Sequence, residues 1–197
     1  MSRIIKESAR GYDCVASEDI LMTSRNIFLN SEVTAESAGA VIKDLIALNI
    51  EDPDKEITLY INSPGGSVQD GLAIYDYLRY MQAPFKTVCI GTAASMGAII
   101  FLSAKKREIF PNGRILIHDP SYGGGDIGGK KPHEIQKSVD KLMETREILA
   151  NIISEVTGKS LDEVYEYTKE DSIFNATEAV EFGLATNIVK KSKKKGK

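Results

Sequence analysis

Cysteine and histidine are scarce in this 197-residue chain, two of each, and proline is held to six. Two cysteines exclude a disulfide-stapled miniprotein. A composition of 42% hydrophobic and 27% charged residues excludes a disordered tail or a collagen-like repeat and fits one folded domain. Long hydrophobic runs are missing too: the longest apolar stretch, Met96 to Leu102, is far too short to cross a bilayer. Met1 to Lys6 leads into polar residues instead of an apolar core, so no secretory signal is expected, and the expected location is cytoplasmic. Cys89, inside the apolar run Thr87 to Ile90, reads as a buried free thiol.

Positive charge is scarce outside the last eight residues. Lys and Arg number 25 against 28 Asp and Glu, a net charge of −3, but six lysines (Lys190, Lys191, Lys193, Lys194, Lys195 and Lys197) lie in residues 190–197. Residues 1–189 therefore hold 19 cations against 28 acids and carry −9. Such a body is a poor surface for nucleic acid or an anionic membrane, which need clustered cations on a folded face. The basic tail reads as a solubilising or fraying segment.

What is present is an alternation of strands and helices, the mark of an α/β layered fold. A strand around Ile27 to Leu29 precedes a helix from about Ala35 to Leu48, with Ala38, Val41, Ile42, Leu45 and Leu48 at helical spacing. Ile57 to Ile61 reads as a buried strand ended by Asn62-Ser-Pro-Gly-Gly66, and a helix presenting Leu72, Tyr75, Leu78 and Met81 follows. Lys86 to Ile90 reads as strand, Gly91 to Ala94 as turn, Ser95 to Ala104 as apolar helix, and Arg107 to Phe110 and Arg114 to Ile117 as strands. Gly123, Gly124, Gly125, Gly128 and Gly129 predict a mobile loop before a helix from Pro132 to Val156, with Gly158 as its left-handed cap. Capping boxes at Ser160 to Glu163 and Asn175 to Glu178 start two more helices, the second closed by Gly183.

Of the two histidines, His133 sits in a polar, glycine-rich stretch and reads as solvated. His118 ends a strand that feeds a loop, where open α/β sheets place their sites. Ser95, in Gly91-Thr-Ala-Ala-Ser95-Met-Gly97-Ala, stands at a strand-to-helix junction among small residues. It reads either as a nucleophile on a sharp turn or as a helix cap. The turn Asn62 to Gly66 suits proline and glycine at the central positions of a type II turn. Its Gly66 N–H, together with the N–H of Met96, could form an oxyanion hole. Asp119 adjoins His118, but successive residues of an extended strand point to opposite faces, so it is badly placed to orient the imidazole. Spacing alone does not pick the orienting acid from the 28 present.

Four segments together, Tyr60 to Gly66, Gly91 to Ala98, Pro111 to His118 and Asp171 to Val180, resemble the ClpP family, the proteolytic subunits of ATP-dependent Clp proteases, over about Tyr12 to Val189. The resemblance implies Ser95 as nucleophile, His118 as general base, Asp171 as orienting carboxylate, and Gly66 and Met96 as oxyanion donors. It also implies a crotonase-like α/β spiral of β-β-α units with an extended handle helix. Residues 1–189 would form a single peptidase domain, with an axial segment over about 1–26 and a handle region over about 122–157, and residues 190–197 would be the tail.

By the same resemblance, subunits would assemble as heptameric rings stacked as a tetradecamer, homomeric or mixed with a second subunit type. Unfolded polypeptides would be supplied by AAA+ unfoldases docking at Tyr60, Tyr80 and Val88. ATP would be used by that partner, so no cofactor or metal is expected in this chain, and neither nucleic acid nor membrane is expected as partner. Departures stand at Glu170, where the family usually has arginine, and at Asp119, where glutamine is expected. The Ser95 to His118 stretch is also about two residues shorter than usual, and the handle region is longer. These departures define a divergent paralogue. Competing classes are a crotonase-like acyl-CoA enzyme, which would use a carboxylate acid/base, and a weakly active or non-catalytic subunit of a mixed ring.

Overall fold

The computed structural model describes residues 3–8, 11–121, 129 and 131–191. An antiparallel hairpin, β1 (Arg3–Ser8) with β2 (Gly11–Ala16), is followed by α1 (Ser17–Thr23) and β3 (Asn26–Leu29). Then come α2 (Ala35–Glu51), β4 (Ile57–Ser63), α3 (Val68–Tyr80), β5 (Phe85–Ala94), α4 (Met96–Leu102), β6 (Lys106–Ile109) and β7 (Arg114–Ile117). The chain finishes with α5 (Pro132–Thr157), α6 (Leu161–Thr168), β8 (Ser172–Asn175), α7 (Ala176–Phe182) and β9 (Asn187–Ile188).

The main sheet has seven strands, parallel in the order β3-β4-β5-β6-β9, with β7 parallel to β5 and antiparallel to β8. Residues Lys86 to Cys89 of β5 pair with β6, whereas Thr92 to Ala94 pair with β7. One long strand thus changes neighbour halfway and delivers Ser95 at the end of its second half. This corrects the expected turn at Gly91 to Ala94: pairing with β7 keeps those residues extended, and the expected helix begins at Met96 with Ser95 as its N-cap.

Local signals set most helices. In α2, Ala38, Val41, Leu45 and Leu48 form the buried stripe, and Thr34 with Ser37 closes a capping box. In α3 the buried positions are Gly71, Ile74, Tyr75 and Leu78, while Leu72 and Met81 are only partly buried against the core. The helix therefore sits slightly rotated from the expected face. Gly158 and Gly183 take left-handed φ of 73° and 95°, as expected of C-caps. The hairpin β1–β2 and the short strands β8 and β9 carry no strong local signal. The expected glycine loop, apart from Gly129, and the tail beyond Lys191 lie outside the described residues.

Two buried arginines pin corners of the body. Arg25, 2% exposed, donates to the carbonyls of Asp52 (2.7 Å) and Lys55 (3.0 Å) and pairs with Glu51 (3.3 Å), tying β3 to the turn after α2. Arg107 donates to the carbonyls of Leu184 (2.7 Å), Ala104 (2.8 Å) and Gly183 (3.1 Å), capping the end of α7 against β6.

Candidate active site

Ser95 takes φ 52° and ψ −122°, a conformation strained for any residue with a side chain. Its N–H donates to Leu116 (2.9 Å), holding the turn against β7, and its hydroxyl makes no cap hydrogen bond. Ser95 thus holds the N-cap position by its backbone, and its side chain is not spent on capping α4.

The turn after β4 is built to stand close beside it. Asn62 donates to Asn30 Oδ1 (2.8 Å) and accepts from the Thr92 N–H (3.1 Å), and the Gly65 N–H donates to Ser63 Oγ (3.2 Å). Gly65 has φ +95°, and a Cβ there would lie 2.6 Å from Ser95 Cβ, 2.7 Å from Ala94 O and 3.0 Å from Met96 N. Only glycine permits that approach. Gly66 forms a parallel bridge with Val33 in which Val33 N–H donates to Gly65 O (2.7 Å) and Ser67 N–H to Val33 O (2.8 Å). In that pattern the Gly66 N–H points away from Val33.

Gly66, Ser95, Met96 and His118 line one cavity of about 90 Å³. Its apolar wall comes from Val68, Ile99, Leu149, Ala150 and Ile153, and its polar end from Asp119, Arg146 and Thr168. His118 is half-buried where β7 gives way to a loop. Asp171 is exposed, just before β8, and does not line the cavity. Among the described residues no hydrogen bond joins Ser95, His118 and Asp171. The fold thus gathers four of the five expected catalytic and oxyanion residues around one cavity and leaves the fifth outside its lining.

Asp119 has a different occupation. It accepts from Arg146 Nε at Oδ2 (2.7 Å) and from Thr168 Oγ1 at Oδ1 (2.6 Å), and its N–H donates to Thr168 O (2.6 Å). Both carboxylate oxygens are engaged, by Arg146 and Thr168, and the charge is compensated within the chain. Glu170, by contrast, is exposed with no ion pair among the described residues. Sequence reasoning missed Arg146 and Thr168, because their partner lies 27 and 49 residues away.

The expected docking residues separate. Tyr60 is half-buried and stacks on Phe28, with centroids 4.8 Å apart; Tyr80 is 88% exposed at the end of α3; Val88 is 2% exposed and belongs to the core of the single chain. Register places Phe28, Tyr60, Val88 and Glu108 in one row across the sheet, with Ile90 and Phe110 one pleat further on the same face. Phe28, Ile90 and Phe110 are exposed and carry the apolar character that Val88 cannot offer. Strand alternation from Val88 reaches Ile90, whereas Phe28 and Phe110 follow only from how β3 to β6 pair.

A serine on a strained strand-to-helix turn shares one cavity with a histidine at a strand end. The Clp protease family model matches residues 7–192, so the chain belongs to the Clp protease family and is a ClpP-type protein. Among the described residues no helix is long and apolar enough to cross a membrane.

Proposed function

We propose that the chain is the proteolytic subunit of an ATP-dependent Clp protease, a serine endopeptidase that cleaves unfolded polypeptides inside a ring-shaped chamber. The observation that carries this reading is the strained Ser95 in one cavity with His118, Gly66 and Met96. His118 takes the Ser95 proton as the oxygen attacks a peptide carbonyl. The Gly66 and Met96 N–H groups hold the tetrahedral oxyanion, His118 returns its proton to the leaving amine, and water frees the acyl-enzyme. Asp171, just before β8, orients the imidazole. The apolar wall takes an apolar side chain next to the cleaved bond.

In this reading residues 1–189 form one domain with the crotonase-like spiral, working in the cytoplasm. Stacked heptameric rings and an AAA+ unfoldase complete the machine, the unfoldase docking on the apolar row around Phe28 and Tyr60. Assembly is supported by α5, which buries only Leu149, Ala150 and Ile153 and leaves Val139 and Met143 exposed on its first half. A second reading, favoured by the missing bonds between Ser95, His118 and Asp171, is a subunit that becomes competent only in a ring mixed with a second type. Sedimentation with a peptidase assay on each species separates the two: activity in homomeric rings supports the first, and activity only after mixing supports the second. No Ser95-dependent activity in either species contradicts both.

A further inference from the structure

We propose that Arg146 is a positioning residue which, through Asp119 and Thr168, holds the segment carrying His118 against the segment carrying Asp171. The inference rests on the peptidase reading and deepens it.

Two short segments face each other at the site and are joined at both ends. At one end Ile117 pairs with Ser172 in the β7–β8 ladder. At the other, Asp119 N–H donates to Thr168 O, and the Thr168 hydroxyl donates back to the Asp119 carboxylate, each at 2.6 Å. His118 lies inside this bracket on one side and Lys169, Glu170 and Asp171 lie inside it on the other. The ladder end is ordinary sheet structure, whereas the closing end depends on side chains.

Arg146 completes the closing end. Its Nε donates to Asp119 Oδ2 at 2.7 Å, and its guanidinium carbon sits 4.0 Å from the Tyr165 ring centroid. The two side chains are 24% and 30% exposed, shielded enough for a charge-assisted hydrogen bond to hold its geometry. Arg146 shares the helical face of Leu149, Ala150 and Ile153, and no residue of α5 before it is buried. It links that face of α5 to the segment that follows β7. Loss of the guanidinium frees the Asp119 carboxylate and loosens the closing end beside His118.

The test uses the full chain as its native assembly, with a fluorogenic peptide and kcat expressed per Ser95 titrated by a fluorophosphonate. Asp119→Asn and Arg146→Gln should each lower kcat roughly tenfold or more with KM changed by less than about twofold, because a misplaced base slows chemistry without altering binding. The double variant should be no worse than the weaker single one, since both break one linkage. Thr168→Val, which keeps the shape and removes only the hydroxyl donor, should lose kcat, and Thr168→Ser should restore it. If charge variants misfold, the Thr168 pair decides. Assembled variants with wild-type kcat per titrated site, losses confined to KM, or losses that multiply in the double variant overturn the proposal and leave the peptidase reading standing. A wild-type assembly that takes no label at Ser95 removes both.

Discussion

Ser95 sits at φ 52° because the chain must reverse from β5 into α4 within one residue, and Gly65 makes room for that reversal. Gly65→Ala should cost about 1–3 kcal/mol from its positive φ and the contact with Ser95 Cβ. It should also abolish fluorophosphonate labelling in whatever fraction still folds; thermal melts with labelling check both. Ala150, 3% exposed, lines the cavity wall, and Ala150→Leu should fill that space. Specificity for Leu or Met over Ala beside the cleaved bond should then fall about tenfold in kcat/KM, read from a panel of peptides. Cys89 is buried, which pushes its thiol up to about 11. Because its folded value exceeds the unfolded one, its contribution is fully present below about pH 9 and is lost as pH rises through about 11, some 2–3 kcal/mol in all. Denaturation across that range should show the loss in wild type and a flatter profile in Cys89→Ala. Exposed Cys14 should react with thiol reagents in the native chain while Cys89 does not.

Elements whose cause is local were legible in the sequence. Asn175 accepts from the N–H groups of Thr177 and Glu178, and Glu178 accepts from the Asn175 N–H, all within three residues, so the start of α7 could be read directly. The turn after β4 and the Ser95 junction were legible for the same reason. The extension of β5 past Gly91 was not, because it depends on pairing with β7, about 20 residues downstream. Nor was the engagement of Asp119, which needs α5 and α6 packed against the end of β7. The first half of α5 has no buried residue, and Met143 is 52% exposed on it. Met143→Glu should weaken assembly about tenfold or more in concentration while leaving the far-ultraviolet circular dichroism unchanged, as sedimentation velocity would report. Unchanged assembly would remove α5 from the interface.

At the scale of the whole molecule, a net charge of −3 matters less than where charges sit. Arg146 neutralises Asp119 beside the cavity, so among the described residues the acids there without an ion pair are Glu170 and Asp171. Five expected catalytic and oxyanion residues come from segments spread over residues 66–171, and four share one cavity in a single chain. On the proposed mechanism, the alignment of Asp171 with His118 is left to the bracket between β7 and the end of α6. On the proposed function, Ser95 is the nucleophile of a peptidase active as an assembly. Fluorophosphonate labelling of the assembled chain, followed by peptide mapping and a peptidase assay of Ser95→Ala, tests it most directly. The account predicts label on Ser95 alone and loss of peptide hydrolysis by a factor of about 10³ or more in the variant. An intact assembly without label at Ser95, or one that still hydrolyses peptides as Ser95→Ala, would contradict it.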